Sequence, residues 1–392
     1  MKQLLQLIIN KLFTPYGLII STFVLSALAW LISDFFGLPK AYIYQEPIRF
    51  NIIIFFMWMF YLSFPSYLGY KFGLKIPIIR ELTRYSNIEK VTIYKIYSFI
   101  AISGFSFTVY KTFDYLGLSG FLYAITSFQT NHIAKAIYAD YSIGIYSLRY
   151  ILILSFGYAL YRILIMKKVS IIDVINLLFF ILYIAFYGRR LQLIASIFVF
   201  ILLGNQNKKF IYNLKTRLLI FTIIGGFFLL MVATTLRNYG SYQNQGYNNP
   251  IVVTIANASE YLAAPFQVSL GTSNNYFKAL EKVKYTSYVD VKSTLTANGS
   301  FTHLTYKYGL FSIILIAVLC FTLSMAAGWL SKQRGTYLYT GLPIILYGFS
   351  ELWRIDLFFK GIFITLLSVS VGVPIIYSIF KMIIFKPRIR FK

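Results

Sequence analysis

The chain is short of the residues on which many enzyme classes depend. Its 392 residues include one cysteine and two histidines, and Asp and Glu together number only 12. A single Cys320 excludes a disulfide framework and a cysteine zinc cluster. The sequence has no Walker loop, no GxSxG elbow and no HExxH motif, and no DxD pair stands in the segments predicted to lie outside the membrane. We therefore expect no metal and no cofactor.

Apolar residues make up 58% of the chain, and the mean hydropathy is +0.68. They recur in runs of about 17–25 residues, the length that crosses a bilayer core. This pattern predicts an all-α polytopic membrane protein, one integral membrane domain over residues 1–392. The ten predicted spans cover 16–34, 50–70, 93–113, 143–165, 170–187, 190–204, 217–236, 309–331, 336–353 and 357–380.

The formal net charge of +25 does not indicate nucleic-acid binding, because Lys and Arg fall mostly in short loops between spans. Alternate loops are rich in these residues, and the positive-inside rule places such loops in the cytoplasm. We expect both termini to be cytoplasmic and residues 237–308 to form one large extracytoplasmic loop. Short helices are expected at 250–264, on the membrane surface, and at 118–138.

Ionisable residues on the predicted outer side need a reason other than topology. They are Arg149, Arg189, Arg190, Arg237, Glu260, His303, Glu351, Arg354, Asp356 and Lys360. Arginine binds phosphate through bidentate, charge-assisted hydrogen bonds. The outer helix ends carry Arg189, Arg190, Arg237 and Arg354, which are the predicted diphosphate ligands; a lipid-linked diphosphate places its charge at that depth.

Simpler interpretations stay open at several of these positions. Arg189 and Arg190 reach the headgroups easily from a helix end, and Arg237 is suited to ending its helix at the interface. Glu351 and Arg354 are three residues apart and suited to pairing on one helical turn. His303 titrates near neutrality and is the first candidate base, with Glu260 next. A solvated loop histidine is the alternative for His303.

The order of these motifs resembles the Wzy-type polymerases of O-antigen and capsule repeat units, with kinship to the O-antigen ligases. The resemblance covers roughly residues 170–380. It rests on GRRLQLIASIF at the outer start of a span, TTLRNYG at the outer end of the next, and HLTYKYGLFSIILI after the large loop.

This resemblance implies a metal-independent membrane glycosyltransferase of the C type in the bacterial inner membrane. The donor would be a glycan on undecaprenyl diphosphate, the acceptor a lipid-linked repeat unit, and a chain-length regulator a further partner. Direct displacement would invert the anomeric carbon. A lipid-linked oligosaccharide flippase and an O-antigen ligase are the alternatives.

Overall fold

The computed structural model describes most of the predicted helices. The described residues are 11–35, 46–77, 87–127, 133, 145–187, 190–205, 225, 228, 249–277, 299–309, 311–333 and 336–384. Within these ranges all regular structure is helical. The helices are α1 (Pro15–Phe35), α2 (Ile52–Lys75), α3 (Asn87–Thr126), α4 (Leu152–Leu164), α5 (Ile171–Tyr187), α6 (Arg190–Asn205), α7 (Pro250–Asn274), α8 (Ser300–Tyr308), α9 (Phe311–Lys332), α10 (Gly341–Glu351) and α11 (Gly361–Ile384). Short 3-10 turns cover Ile145–Ile151, Tyr337–Thr340 and Leu357–Phe359.

The lengths and compositions of the helices support the predicted class, an α-helical membrane protein. Six helical segments in the described part of the chain are long and apolar enough to cross a membrane, and two shorter apolar helices accompany them. Large apolar side chains on their outer faces, such as Val24, Phe60 and Ile314, are exposed in the isolated chain. This surface suits a bilayer. The number of ten stays a prediction, since the span at 217–236 lies outside the described residues apart from two isolated positions.

Helices α2 and α9 run parallel and touch backbone to backbone. Small residues line the contact: Ser66, Gly69 and Gly73 on α2, with Ser324 and Gly328 on α9. A Cβ atom at Gly73 would press on the Met325 carbonyl and lie 2.8 Å from the Trp329 nitrogen. Small residues allow such close approach between membrane helices. The pair fixes one side of the bundle.

We expect Gly73→Ala to lower the free energy of unfolding by about 1–3 kcal/mol, because the added methyl group overpacks the α2–α9 contact. Thermal unfolding in detergent measures the change. Gly372→Ala on α11 is the matched control, since nothing lies within 4 Å of a Cβ built there. Equal melting temperatures for the two variants would contradict the close contact.

The ends of α2 and α9 define the two ends of the bundle. Lys332 donates a hydrogen bond to the Ile76 carbonyl at 2.7 Å, so the last turns of both helices meet there with Lys75 nearby. We call this the basic end. Helix α8 precedes α9 and lies at the opposite end, which we call the α8 end. The orientation of these ends in a membrane belongs to the proposal below.

Helix α7 forms as expected from its apolar stripe, but it is longer than 250–264, and its second half lies inside the bundle. It runs parallel to α1: Ser26 donates to the Leu262 carbonyl at 2.6 Å, and Trp30 to the Gln267 side chain at 2.7 Å. Residues 263–271 are all buried. The small residues of its second half, including Ala263 and Ala264, let α1 approach closely, which apolar periodicity over the first half did not reveal.

Helix α3 breaks at Gly117, where φ is +66° and ψ 170°. Only glycine adopts this backbone conformation at low cost. The break separates the predicted span at 93–113 from the predicted outer helix at 118–138, whose first part, up to Thr126, is confirmed. The remainder of that helix lies almost entirely outside the described residues.

A polar cluster joins α4 and α5. The Asp173 carboxylate accepts from Arg162 at 2.9 Å and from the Ser170 amide and hydroxyl at 2.8 and 2.7 Å. One turn later Asn176 donates to the Tyr94 hydroxyl of α3 at 2.8 Å. The acidic side chain thus stabilises the start of α5, where the helix dipole favours negative charge.

Helix α10 is the centre of the bundle. All eleven of its residues are buried, and it packs against α1, α6, α9 and α11. At 1.5 Å per residue it is about 16 Å long, roughly half a bilayer core. It ends at the α8 end, where the Leu352 carbonyl accepts from the Ser300 amide at 2.9 Å and hydroxyl at 2.7 Å. The following turn carries the candidate site.

Candidate functional site

The last turn of α10 holds a buried ion pair. Arg354 is 2% exposed and Glu351 5% exposed, and the guanidinium donates to the carboxylate. The same guanidinium donates to the Tyr261 hydroxyl of α7 at 2.6 Å and lies 4.7 Å from the centre of that ring. The pairing of Glu351 with Arg354 that the sequence left open is therefore confirmed.

The surroundings keep Arg354 charged. Burial alone would lower the pKa of its guanidinium, but the negative charge of Glu351 and the Tyr261 side chain raise the pKa above its ordinary value. Both terminal nitrogens already donate to protein groups. These two hydrogen bonds use two of the five N–H donors of the guanidinium, and the role of Arg354 as a diphosphate ligand stays a prediction.

Two residues further along the chain, the side chain of Asp356 is buried. It is 3% exposed, and neither carboxylate oxygen accepts a hydrogen bond from the described residues. Burial raises the pKa of Asp356 to about 6, although the positive charges of Lys360 and Lys307 act in the opposite direction. Both lysines are exposed.

His303 lies in the first half of α8 and faces the same two lysines. Its side chain is half-buried. Burial, and then the charges of Lys360 and Lys307, lower the pKa of the imidazole below its usual value. The ring is therefore neutral near pH 7 and has a nitrogen lone pair available to accept a proton. This environment is compatible with the predicted role as a base.

The other sequence-predicted residues are placed only in part. Glu260 is 3% exposed on α7, directly before Tyr261; adjacent residues of a helix point in different directions. Arg190 is the first residue of α6, and its side chain lies outside the described part. Arg189 and Arg237 lie outside the described residues altogether. Lys360, which follows the turn that carries Arg354, acts electrostatically on His303. The structure thus places His303 near that turn.

A second buried arginine lies on another element. Arg149, in the 3-10 turn Ile145–Ile151, is 2% exposed; its guanidinium lies 5.0 Å from the centre of the Tyr150 ring and donates to that hydroxyl at 3.3 Å. The turn packs against α3 and α11. The sequence placed Arg149 among the outer charges, and the structure shows it inside the bundle.

Three residues of the site were missed or undervalued from sequence. Tyr261 belonged to the apolar stripe that predicted the helix at 250–264, and Lys307 was assigned no role. Asp356 was counted among the outer charges without a role. Its signal was present: an aspartate between apolar residues, in RIDLFF, seldom avoids burial, and a buried carboxylate needs a partner or a function.

No protein-family model matches this chain, and no curated protein and no solved structure matches it either. The functional assignment therefore depends on the residues and the geometry described above.

Proposed function

We propose that this protein is a membrane glycosyltransferase that polymerises oligosaccharide repeat units linked to undecaprenyl diphosphate. The observation that carries the proposal is the concentration of charge at one end of an apolar bundle. There, the buried Arg354 and the exposed Lys307 and Lys360 lie near a buried carboxylate that accepts no hydrogen bond from the described residues. Ionisable groups inside a membrane bundle are costly and mark functional sites.

The proposal includes an orientation. The basic end carries Lys75 and Lys332 at the last turns of α2 and α9, and the positive-inside rule assigns such an end to the cytoplasm. The α8 end then faces outward. That is the side on which completed lipid-linked repeat units are joined into O-antigen, capsule or a related surface polysaccharide.

The chemistry fits fixed cations at this end. The acceptor hydroxyl attacks the anomeric carbon of the donor, the bond from that carbon to the diphosphate oxygen breaks, and undecaprenyl diphosphate leaves with the electron pair. Negative charge grows on the leaving group, and preorganised cations stabilise it. Lys307 and Lys360 are available in the described part of the site, and the predicted ligands Arg189, Arg190 and Arg237 would add to them.

One observation favours a second candidate, a transporter of the lipid-linked unit. Helix α10 is too short to cross a bilayer, and its last turn, at the α8 end, lies beside buried charged residues. Discontinuous helices of this kind form substrate sites in secondary transporters. Movement of the labelled lipid across proteoliposomes, without any change in its mass, is the result that would favour this candidate over the polymerase.

In a polymerisation assay, the purified protein in lipid nanodiscs receives a synthetic undecaprenyl-diphosphate repeat unit in the presence of EDTA. We expect a ladder of products on a gel. Arg190→Ala is expected to slow its formation by about 100- to 1,000-fold, the effect of removing one donor from a developing anion. Arg49→Ala, at an exposed arginine just before α2, is the control and should leave the rate unchanged.

Two outcomes would contradict parts of this proposal. No ladder from a folded protein that binds the lipid would reject the polymerase. A ladder unchanged by Arg190→Ala would retain the polymerase and remove Arg190 from the leaving-group site, as expected if its side chain only reaches the headgroups.

A further inference from the structure

The carboxylate of Asp356 differs from those of three other buried acids. Asp173, Glu351 and Glu46 are 0%, 5% and 7% exposed, and each accepts a hydrogen bond from a nitrogen of a nearby side chain. Neither oxygen of Asp356 accepts one from the described residues. Burying a carboxylate without a hydrogen bond is unfavourable, so this position does not contribute to stability as the other three do.

The turn around Asp356 is held firmly without using its side chain. The Arg354 and Ile355 amides donate to the Glu351 carbonyl at 2.9 and 2.8 Å, and the Leu357 amide donates to the Ile355 carbonyl at 3.0 Å. Helix α8 is attached to the same turn through Leu352. The backbone therefore fixes Asp356 in place, and no donor among the described residues occupies either carboxylate oxygen.

The charges around Asp356 define the chemistry of that group. Lys307 from α8 and Lys360 from the turn act on Asp356 electrostatically, yet neither ammonium lies within 4 Å of the carboxylate to form one of the ion pairs found among described residues. The Cys320 thiol of α9 is also within electrostatic reach. A hydroxyl group can donate a hydrogen bond to the carboxylate, and a phosphate can accept hydrogen bonds from the two exposed ammonium groups. A glycosyl diphosphate meeting a sugar hydroxyl offers both.

We propose that Asp356 is the general base that accepts the proton of the acceptor sugar hydroxyl. This inference rests on the proposed polymerase function. The O–H proton passes to an Asp356 oxygen, the freed oxygen forms the new bond to the anomeric carbon, and the old carbon–oxygen bond breaks with its electron pair leaving on the diphosphate. The proton then passes from Asp356 to water before the next cycle.

The inference gives Asp356 the role that the sequence assigned first to His303. A base is most effective when its pKa lies close to the working pH. Burial brings the pKa of Asp356 up to about 6, which keeps the group ionised at neutral pH while making it a stronger proton acceptor than an ordinary aspartate. His303, half-buried between the same lysines, is then a neighbouring group whose own variant must be compared.

The test uses Asp356→Asn, which keeps the shape of the side chain and removes its ability to accept the proton. We expect polymerisation to slow by about 100-fold or more, with an unchanged dissociation constant for the lipid-linked donor. The melting temperature should stay the same or rise. The wild-type rate should fall as the pH drops through about 6, and this acid limb should be absent from the residual activity of the variant.

Three further variants sharpen the result. Asp356→Glu should restore part of the rate, since it restores a carboxylate. Asp114→Asn is the matched control at an exposed aspartate paired with Lys111, and it should leave the rate and the pH profile unchanged. His303→Gln should retain the acid limb of the wild type.

The results that would contradict this inference can be distinguished from one another. Polymerisation by Asp356→Asn at the wild-type rate would overturn the inference while leaving the polymerase intact. A slower rate accompanied by a lower melting temperature, with no rescue by glutamate, would assign Asp356 a structural role. Loss of the acid limb in His303→Gln would transfer the role to the histidine. A folded wild type that makes no polymer would reject the proposed function itself.

Discussion

Glu351→Ala is expected to lower the free energy of unfolding by about 3–5 kcal/mol, because it leaves the charge of Arg354 buried without its carboxylate. Arg354 is 2% exposed, so water cannot replace the lost partner. The hydrogen bond to the Tyr261 hydroxyl at 2.6 Å and the contact with the Trp353 ring at 6.0 Å involve neutral groups and compensate only in part. Unfolding by SDS titration from mixed micelles measures the change.

The chain offers a matched control for this variant. Lys111 and Asp114 also form an ion pair three residues apart on one helix, at 2.9 Å, but their side chains are 39% and 54% exposed. Exposed pairs contribute about 0–1 kcal/mol, so Asp114→Ala should have little effect. Equal losses for the two variants would show that water reaches the Glu351–Arg354 pair.

A double replacement separates stability from function at the same pair. Buried ion pairs exchanged for apolar side chains of similar volume often lose no stability. The protein with Glu351→Met and Arg354→Met together should therefore recover most of the stability that Glu351→Ala loses. If Arg354 also contributes positive charge to the diphosphate site, this stable double variant remains slow in polymerisation. Wild-type rates would limit Arg354 to holding the turn.

The stability of the wild type is expected to carry a pH dependence due to Asp356. Its pKa is raised from 3.8 to about 6 in the folded protein, so the folded state holds this proton more tightly than the unfolded state does. The contribution of Asp356 to stability therefore falls as the pH rises from about 4 to about 6. The difference amounts to about 3 kcal/mol at most, at 1.36 kcal/mol per pH unit.

This dependence is measured as the difference between the wild type and Asp356→Asn, with unfolding followed from pH 4 to pH 7. The difference cancels the other titrating groups. One is His303, whose lowered pKa acts in the opposite direction by favouring the folded state at higher pH. The free energy of unfolding of the variant, relative to that of the wild type, should increase as the pH rises to about 6. Above pH 6 the difference should stay constant. Parallel curves over the whole range would show that the Asp356 carboxylate is solvated.

The long elements of this fold were predictable from sequence because a bilayer imposes a simple length rule. Helices α1, α2 and α9 begin and end within about five residues of the predicted spans. The rule fails for α10, whose centre is as apolar as a span but whose helix covers only 341–351. Burial on every side by other helices replaces the membrane there, and apolar composition does not distinguish the two environments.

The candidate site was less accessible to sequence reasoning than the helices. The sequence was enough to select Arg354 as a candidate charged residue. It also indicated a possible ion pair with Glu351, three residues earlier. Tyr261 is 93 positions away from Arg354 in the sequence. The two residues are in contact because α7 packs along α1 inside the bundle. The state of Asp356 depends on burial by elements from several parts of the chain, which local patterns do not contain.

The glycine contact between α2 and α9 sets an order of events during synthesis. Helix α2 ends at Lys75 and its partner begins at Phe311, so roughly 235 residues must be made between the two. At about 5–20 residues per second, α2 waits in the membrane for roughly 12–47 s with its glycine face uncovered. That face can meet another α2 from a neighbouring nascent chain during this interval. Slow translation or crowded insertion sites should therefore favour mispaired chains, and the protein depends for its yield on how soon α9 arrives.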